Sequence, residues 1–137
     1  MRISPHLMFN GQCRAAFNRY HQLLGGEFSF LTYGDSPMAE DVEPKWHDRI
    51  VHVTLQIGDV ELAGADVLPQ DYATPQGFSV LLTFEDPARA KYVFNELASG
   101  GEIKFPFQQT FWSSGFGVLV DQFGVPWEIS CAQAQVS

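Results

Sequence analysis

The amino-acid sequence predicts an α+β fold in which two tandem βαβββ modules form a cup-shaped, mostly antiparallel sheet with the helices on its outer face. One observation is a repeated punctuation: a Phe-Asn pair precedes Gly-Gly-Glu at residues 17–27 and again at residues 94–102. The other is the order of each half, which runs through an apolar stretch, a helical stripe and three more apolar stretches. The 137 residues fit one domain, with module one at about 1–67 and module two at about 76–132.

Hydrophobic periodicity predicts the elements of module one. An apolar stretch closed by Asn10-Gly11 comes before a segment whose apolar residues recur at helical spacing. Gly25-Gly26 ends this helix, because glycine adopts the left-handed cap conformation without strain. The strands are predicted at residues 3–9, 27–33, 49–57 and 60–65. The long polar loop at 34–47 could cover a site, since loops of this length in compact domains are commonly functional.

Module two repeats this order after a connector at residues 68–77 that contains proline and glycine. Asp86-Pro87 predicts a helix start, since aspartate caps a helix and proline suits its first position. The last two strands flank the turn Asp121–Gly124, in which aspartate opens the turn and glycine takes a positive φ. The strands are predicted at residues 78–84, 102–107, 116–120 and 125–131. Each helix covers one sheet face, which leaves the concave face for a ligand or a partner.

The composition limits the classes of partner. Eight Lys and Arg against sixteen Asp and Glu give a formal net charge of −8, which repels phosphate backbones and anionic lipid surfaces. We therefore expect neither nucleic acid nor a membrane as a partner. No apolar stretch approaches the roughly 20 residues of a membrane span, and the first residues lack a signal-peptide core. These observations predict a cytoplasmic protein with both cysteines, Cys13 and Cys131, reduced and buried.

Glu128 is the first candidate site residue. Because side chains alternate along a strand, Glu128 shares one face with Pro126 and Ser130, while the residues on the other face are apolar. An ionised carboxylate on such a strand is costly unless it meets a cation, a hydrogen-bond donor or water. The face of Glu128 is therefore predicted to border a wet or liganded cavity; the alternative is a polar face in solvent.

His52 is the second candidate. Alternation places it with Ile50, Thr54 and Gln56, opposite a uniformly apolar face. An imidazole on a cavity-facing strand can act as a base, a ligand or a hydrogen-bond donor, whereas the alternative is a histidine whose hydrogen bonds are made within the sheet.

Trp112 and Phe116 flank the flexible turn Ser113-Ser114-Gly115. Their aromatic rings are predicted either to wall a cavity for a flat or apolar ligand, or to pack in the core or in a dimer interface. Neither cysteine has a histidine in a recognisable signature, so a thiol nucleophile is not expected.

The two predicted βαβββ repeats contain three further motifs, Pro5–Gly11, Gln109–Trp112 and Asp121–Trp127. With them, the chain resembles the PhnB-like branch of the glyoxalase, bleomycin-resistance and extradiol-dioxygenase superfamily, also called vicinal oxygen chelate. The resemblance covers essentially the whole chain and implies paired modules, a cup-shaped cavity for a small organic molecule and, usually, a homodimer. A histidine like His52 and an aspartate like Asp66 are typical of the branch, although Asp66 is alternatively a turn-forming residue.

Some members of the branch carry the label 3-demethylubiquinone-9 3-methyltransferase. Methyl transfer from an adenosyl sulfonium usually relies on a glycine-rich turn between a strand and a helix, and the glycine doublets of this chain end helices instead. We therefore do not predict methyltransferase activity.

In metal-using members of the wider superfamily, four ligands come from the first and last strands of each module. Carried over, Glu128 takes the final ligand position, while the first-strand histidine falls at Pro5, with His6 one place off on the opposite face. The two other positions fall near Ser79 and around Glu61 or Leu62. No four-ligand set is complete, so a divalent metal on Glu128 and His52 is an alternative and not the main prediction.

The predicted function is the binding of a small organic molecule in the cup. The predicted lining residues are His52, Thr54, Asp66, Trp112, Phe116 and Glu128. Two alternatives stay open. One is a lyase, isomerase or dioxygenase that depends on a divalent metal, with His52 and Glu128 as candidate catalytic residues, and the other is a non-catalytic protein that sequesters an organic compound.

Overall fold

The computed structural model describes residues 1–132 of the chain. They form two compact units, Met1–Ala73 and a second that begins at Thr74. Each unit contains one α-helix and a four-stranded mixed sheet in the order βαβββ, so the predicted α+β fold of two modules is confirmed. The cup depends on how the modules pair and stays a prediction. In the described residues, no helix has both the length and the apolar character needed to cross a membrane.

Module one contains the predicted elements, with small differences at their ends. They are β1 (His6–Phe9), α1 (Cys13–Leu24), β2 (Glu27–Thr32), β3 (Ile50–Ile57) and β4 (Val60–Asp66). The sheet order is β1-β4-β3-β2, with β1 parallel to β4 and the other neighbours antiparallel. Helix α1 packs so closely on this sheet that a Cβ at Gly64 would lie 2.6 Å from the Phe17 ring. Glycine at this position therefore allows the helix to approach the sheet.

Asp66, the last residue of β4, ties the start of α1 to the sheet. The residue is 1% exposed, and its carboxylate accepts hydrogen bonds from the backbone N–H groups of Gly11 (2.9 Å), Cys13 (3.0 Å) and Ile50 (3.0 Å). The N-cap residue of α1, Gln12, makes no side-chain cap. Asp66 therefore supplies the acceptor that the helix N-terminus needs, from the far end of the module.

Cys13 and Cys131 are free, buried thiols, as expected. Burial, and after it the negative charge of Asp66, raises the pKa of the Cys13 thiol well above its ordinary value of 9.0. The folded protein keeps this thiol protonated at a pH where the unfolded chain ionises it. Ionisation of this thiol therefore does not affect the free energy of unfolding below pH 9.0, and it lowers that free energy as the pH rises above this value.

This pKa shift predicts alkaline destabilisation that depends on Cys13. Above the ordinary thiol pKa, the one thiol should lower the free energy of unfolding by up to about 1.4 kcal/mol per pH unit. Urea unfolding of the wild type and of Cys13→Ala from pH 7 to 11 measures this, and the variant should decline less steeply. The Tyr33 pKa is also raised, by burial, by Asp66 and by Cys13, so the change at Cys13 also reduces the part of the slope that comes from Tyr33. Equal slopes in the two proteins would contradict the prediction.

A β-bulge at the start of β3 changes the face of Ile50. Leu31 pairs with His52 but Thr32 pairs with Ile50, so Val51 is an extra residue opposite β2. Ile50 is consequently buried, and the prediction that it shares the face of His52 is wrong. The expected alternation holds from His52 onwards.

The long loop at residues 34–47 contains two short 3₁₀ turns, Ala39–Asp41 and Pro44–Trp46. Trp46 is buried, meets the Tyr33 ring edge-on at 6.1 Å, and lies 4.9 Å below the Arg49 guanidinium. The tyrosine hydroxyl donates to the backbone carbonyl of Asp66 at 2.6 Å. The loop is thus anchored on its own module, and its role as a lid stays a prediction.

Module two repeats the same order. Its elements are β5 (Val80–Phe84), α2 (Pro87–Ala98), β6 (Glu102–Gln108), β7 (Phe116–Val120) and β8 (Pro126–Cys131). The sheet order is β5-β8-β7-β6, with β5 parallel to β8. Asp86 caps α2 as predicted, since its carboxylate accepts from the Ala88 N–H at 3.0 Å and Pro87 is the first helical residue. Gly117 of β7 lies beside the Phe94 ring and so marks the helix side of this sheet.

The turn between β7 and β8 is built around the Asp121 carboxylate. Its Oδ1 accepts from the N–H groups of Phe123 (2.8 Å) and Val125 (2.9 Å), and its Oδ2 accepts from Trp127 Nε1 at 2.9 Å. Gly124 has φ 88°, in the left-handed region, as the turn prediction requires. Asp121 therefore holds both the turn and a fully buried indole.

Candidate functional site

Each module leaves one face of its sheet uncovered by its own helix, and the pairing register identifies the residues on this helix-free face. In module one the face includes His6, Met8, His52, Thr54 and Ala63. In module two it includes Leu81, Phe116, Val118, Glu128 and Ser130. Four predicted site residues, His52, Thr54, Phe116 and Glu128, therefore lie on helix-free faces.

The helix-free face of module one presents a pair of exposed histidines. The rings of His6 and His52 are stacked, with centroids 6.1 Å apart and planes at 26°. Strand β4 lies between their strands, and His6 pairs there with Ala63, which in turn pairs with Thr54. The expectation that His6 points to the opposite face is wrong, because β1 buries Leu7 and turns His6 outward. The pairing register, which the sequence alone leaves open, decides this.

Glu128 lies on the helix-free face of module two, as strand alternation predicts. Its strand neighbours Trp127 and Ile129 are fully buried, whereas Glu128 is half-buried. Its cross-strand partners are Leu81 on β5 and Val118 on β7, so hydrocarbon lies on both sides of the carboxylate. Among residues 1–132 the carboxylate makes no hydrogen bond or ion pair. Such a group calls for a donor, a cation or water from outside these residues.

Four aromatic rings form a row that includes Phe116, the diagonal neighbour of Glu128 across β7 and β8, and we call this set the aromatic row. Ring centroids are 5.9 Å apart for Phe105 and Phe116, 5.4 Å for Phe116 and Trp112, and 4.6 Å for Trp112 and Phe111. Phe111 is 89% exposed and Trp112 46% exposed in this chain, which leaves the wall interpretation and a protein contact open and contradicts core packing for Trp112.

Sequence reasoning gave no role to Phe105 or Phe111. Register shifts within β6 hide the face of Phe105 from simple alternation, because they change which residues face the same side. Phe111 lies in the Thr-Phe-Trp run that carries part of the family resemblance, and that run is the signal from which its role could have been predicted.

The loop that carries Trp112 is fastened by Ser113. The Ser113 hydroxyl is buried and lies 2.6 Å from the carbonyl oxygens of both Gly115 and Cys131. Its backbone N–H donates to the Thr110 hydroxyl at 3.1 Å. These bonds hold the loop against the end of β8 and fix the base of the aromatic row.

Asp66 does not join these faces. Its carboxylate is committed to backbone amides of module one, and the residue is almost fully buried. We leave Asp66 out of the proposed site for this reason. These hydrogen bonds also differ from those of a local turn, since the partners of Asp66 are far from it in the sequence.

The donor set does not fit a bound divalent metal. Within module one the first and last strands pair His6 with Ala63, and within module two they pair Leu81 with Glu128. The ligand positions expected near Ser79 and around Glu61 or Leu62 are therefore occupied by Leu81 and Ala63 in this register. Each pair of residues supplies only one possible metal ligand. Among the described residues, no group of three His, Cys, Asp or Glu side chains is placed to hold a metal ion, whereas such sites usually need three or four.

Module one also has an open cleft of about 360 Å³ between the 3₁₀ turn Pro44–Trp46 and residues Leu68–Gln70. It contains none of the predicted site residues. Two charged side chains on its rim, Glu43 and Lys45, pair with each other at 3.2 Å and are largely exposed. The cleft is therefore an open surface groove, and the only cation among its described lining residues, Lys45, is already paired with Glu43, while Asp41 also lies on its lining.

A family model described as 3-demethylubiquinone-9 3-methyltransferase matches residues 1–130. The chain belongs to this PhnB-like family. Protein YjdN of Escherichia coli K12 is 32% identical over 144 residues, which cover 98% of each chain. The crystal structure of protein PA1353 from Pseudomonas aeruginosa is 40% identical with a TM-score of 0.89, over 98% of this chain and 99% of that one.

Further solved structures share the fold of this chain. A putative 3-demethylubiquinone-9 3-methyltransferase, PhnB protein, from Bacillus cereus is 26% identical with a TM-score of 0.80, over 96% of this chain and 100% of that one. A glyoxalase/bleomycin resistance protein/dioxygenase family enzyme from Burkholderia phytofirmans is 13% identical with a TM-score of 0.64, over 94% and 96% of the chains, and shares the fold. The resemblance inferred from the sequence is thus confirmed.

Proposed function

We propose that this PhnB-like chain is a small-molecule-binding protein whose ligand lies on the helix-free face of module two, against the aromatic row and Glu128. The supporting observation is the exposure of Phe111 and Trp112 in a row of touching rings. Large exposed aromatic groups of this kind are typical of binding sites, and burying them is favourable by about 25 cal/mol per Å² of apolar surface. The hydrogen bonds of Ser113 hold the row in place before a ligand arrives, which lowers the entropic cost of binding.

The proposal assigns a separate role to the helix-free face of module one. His52, with His6 stacked on it and Thr54 nearby, is the group best placed to donate or accept a proton. Binding without chemistry, as in a sequestering protein, needs only the face of module two. Turnover by the wild type that His52→Ala removes would support proton transfer on this face, and a wild type without turnover would support sequestration.

The name of the matched family describes methyl transfer, and the site supports binding rather than that reaction. The glycine doublets at 25–26 and 100–101 follow α1 and α2 instead of leading into a helix. The turn from β1 into α1 contains Gly11, whose N–H is already bonded to Asp66. A nucleotide-like cofactor usually needs free amides at such a turn.

A lyase, isomerase or dioxygenase that depends on a divalent metal is less well supported. Each module offers one donor where its first and last strands pair, His6 in one and Glu128 in the other. No step of the proposed function is therefore assigned to a metal.

A small-molecule library screened by thermal shift tests the proposal. A ligand at 100 times its Kd should stabilise the wild type by about 2.7 kcal/mol. Trp112→Ala is expected to weaken the binding of the same compounds about tenfold or more, because it removes one of the two inner rings of the aromatic row. The matched control is Tyr92→Ala, which removes an aromatic side chain of similar exposure, 53%, from α2. If the two variants bind equally well, the ligand does not lie on this face.

A further inference from the structure

Glu128 is the one charged side chain among three strands of the module two sheet. It is the only charged residue in the sequences of β5, β7 and β8, and those strands contain no Lys, Arg or His. Leu81 and Val118 stand on either side of it across the sheet. A flat ligand that lies on Phe116 and extends toward its diagonal neighbour Glu128 would also displace water from this carboxylate.

Displacing that water has an energetic consequence that depends on the charge of the ligand. A carboxylate that loses its water without gaining a partner is strongly unfavourable, and residues 1–132 provide no such partner. An anionic ligand would add repulsion, and a neutral hydrocarbon would leave the charge unpaired. A cationic group would pair with Glu128, and it would also be attracted by the faces of the aromatic rings.

We propose that the ligand is an organic cation that joins a flat aromatic part to a protonated or quaternary amine. This inference rests on the proposed function and names the chemical class that the site accepts. The aromatic part stacks on Trp112 and Phe116, and the cation lies at Glu128. Phe116 and Glu128 are diagonal neighbours on paired strands, a spacing of about 7–8 Å, so a compound with one to three bonds between ring and amine spans them.

Three probes of one shape test the charge requirement: 1-naphthylmethylammonium, 1-naphthylmethanol and 1-naphthoate. Their Kd values are measured by calorimetry on the wild type, Glu128→Gln and Glu40→Gln. The last is the matched control, because it removes the same charge from an exposed side chain of module one. We expect the ammonium to bind the wild type and Glu40→Gln about tenfold or more tightly than the alcohol does, and the two probes to bind Glu128→Gln equally.

Each other outcome overturns the inference, and the outcomes distinguish it from the proposed function. If the alcohol or the naphthoate binds the wild type as tightly as the ammonium, and Trp112→Ala weakens that binding, the site stands but the cationic class is wrong. If both charge variants reduce the preference equally, the overall charge of −8 causes it and not Glu128. If no probe binds, the inference about the cationic class fails, and the library screen decides the proposed function separately. If Glu128→Gln changes the oligomeric state in light scattering and leaves the preference intact, the face is a protein contact.

Discussion

Replacing Asp66 by alanine is expected to lower the free energy of unfolding by about 3–5 kcal/mol. The change leaves the N–H groups of Gly11, Cys13 and Ile50 without their acceptor inside a buried region. Each unsatisfied buried donor costs about 1–3 kcal/mol, and the three costs are only partly additive because the groups share one carboxylate. Asp66→Asn should have a smaller effect, since its oxygen keeps two bonds while its NH₂ group faces the Ile50 N–H.

Urea unfolding followed by circular dichroism measures these changes. Asp59→Asn, in the exposed turn between β3 and β4, is the matched control and should stay within about 0.5 kcal/mol of the wild type. An Asp66→Ala protein as stable as that control would show that the carboxylate is not what holds α1 on the sheet.

Replacing Asp121 by alanine is expected to cost about 3 kcal/mol or more in the free energy of unfolding. The residue is 4% exposed, and its carboxylate satisfies two turn amides and the indole N–H of Trp127. Asp121→Asn should be intermediate, because its NH₂ group would face the indole N–H. The near-ultraviolet circular dichroism of the buried indole gives a signal local to this turn.

Gln122→Ala provides the comparison for Asp121, since Gln122 is the next residue of the same turn and is exposed. Its effect should stay within about 0.5 kcal/mol. Matching unfolding curves for Asp121→Ala and Gln122→Ala would contradict the account of the turn.

The two helices show which parts of the fold the sequence can predict. The cap of α2, Asp86, directly precedes the first helical residue, Pro87, so the local sequence alone predicts where this helix starts. Helix α1 has no local cap and uses Asp66, an acceptor that only the folded module brings to it. A capping residue contributed by another strand leaves no local pattern, and the sequence therefore suggested a turn or a ligand contact for Asp66.

The candidate site likewise has residues whose position the sequence can predict and residues whose position depends on strand pairing. Strand alternation was enough to place Glu128 and His52, because it is a property of a single strand. Ile50 and His6 were assigned wrongly, since a bulge in β3 and the register of β1 on β4 decide their faces. The pairing of Glu128 with Leu81, whose side chain cannot bind a metal, is likewise a property of two strands.

The most direct test of where the ligand lies uses the three indole N–H signals of ¹⁵N-labelled protein during titration with 1-naphthylmethylammonium. Trp112 is 46% exposed in the aromatic row, whereas Trp46 and Trp127 are 8% and 0% exposed. A naphthalene ring stacked on the row should shift the Trp112 signal strongly through its ring current and leave the other two almost unchanged. A titration that shifts Trp46 or Trp127 while Trp112 stays in place would contradict the account.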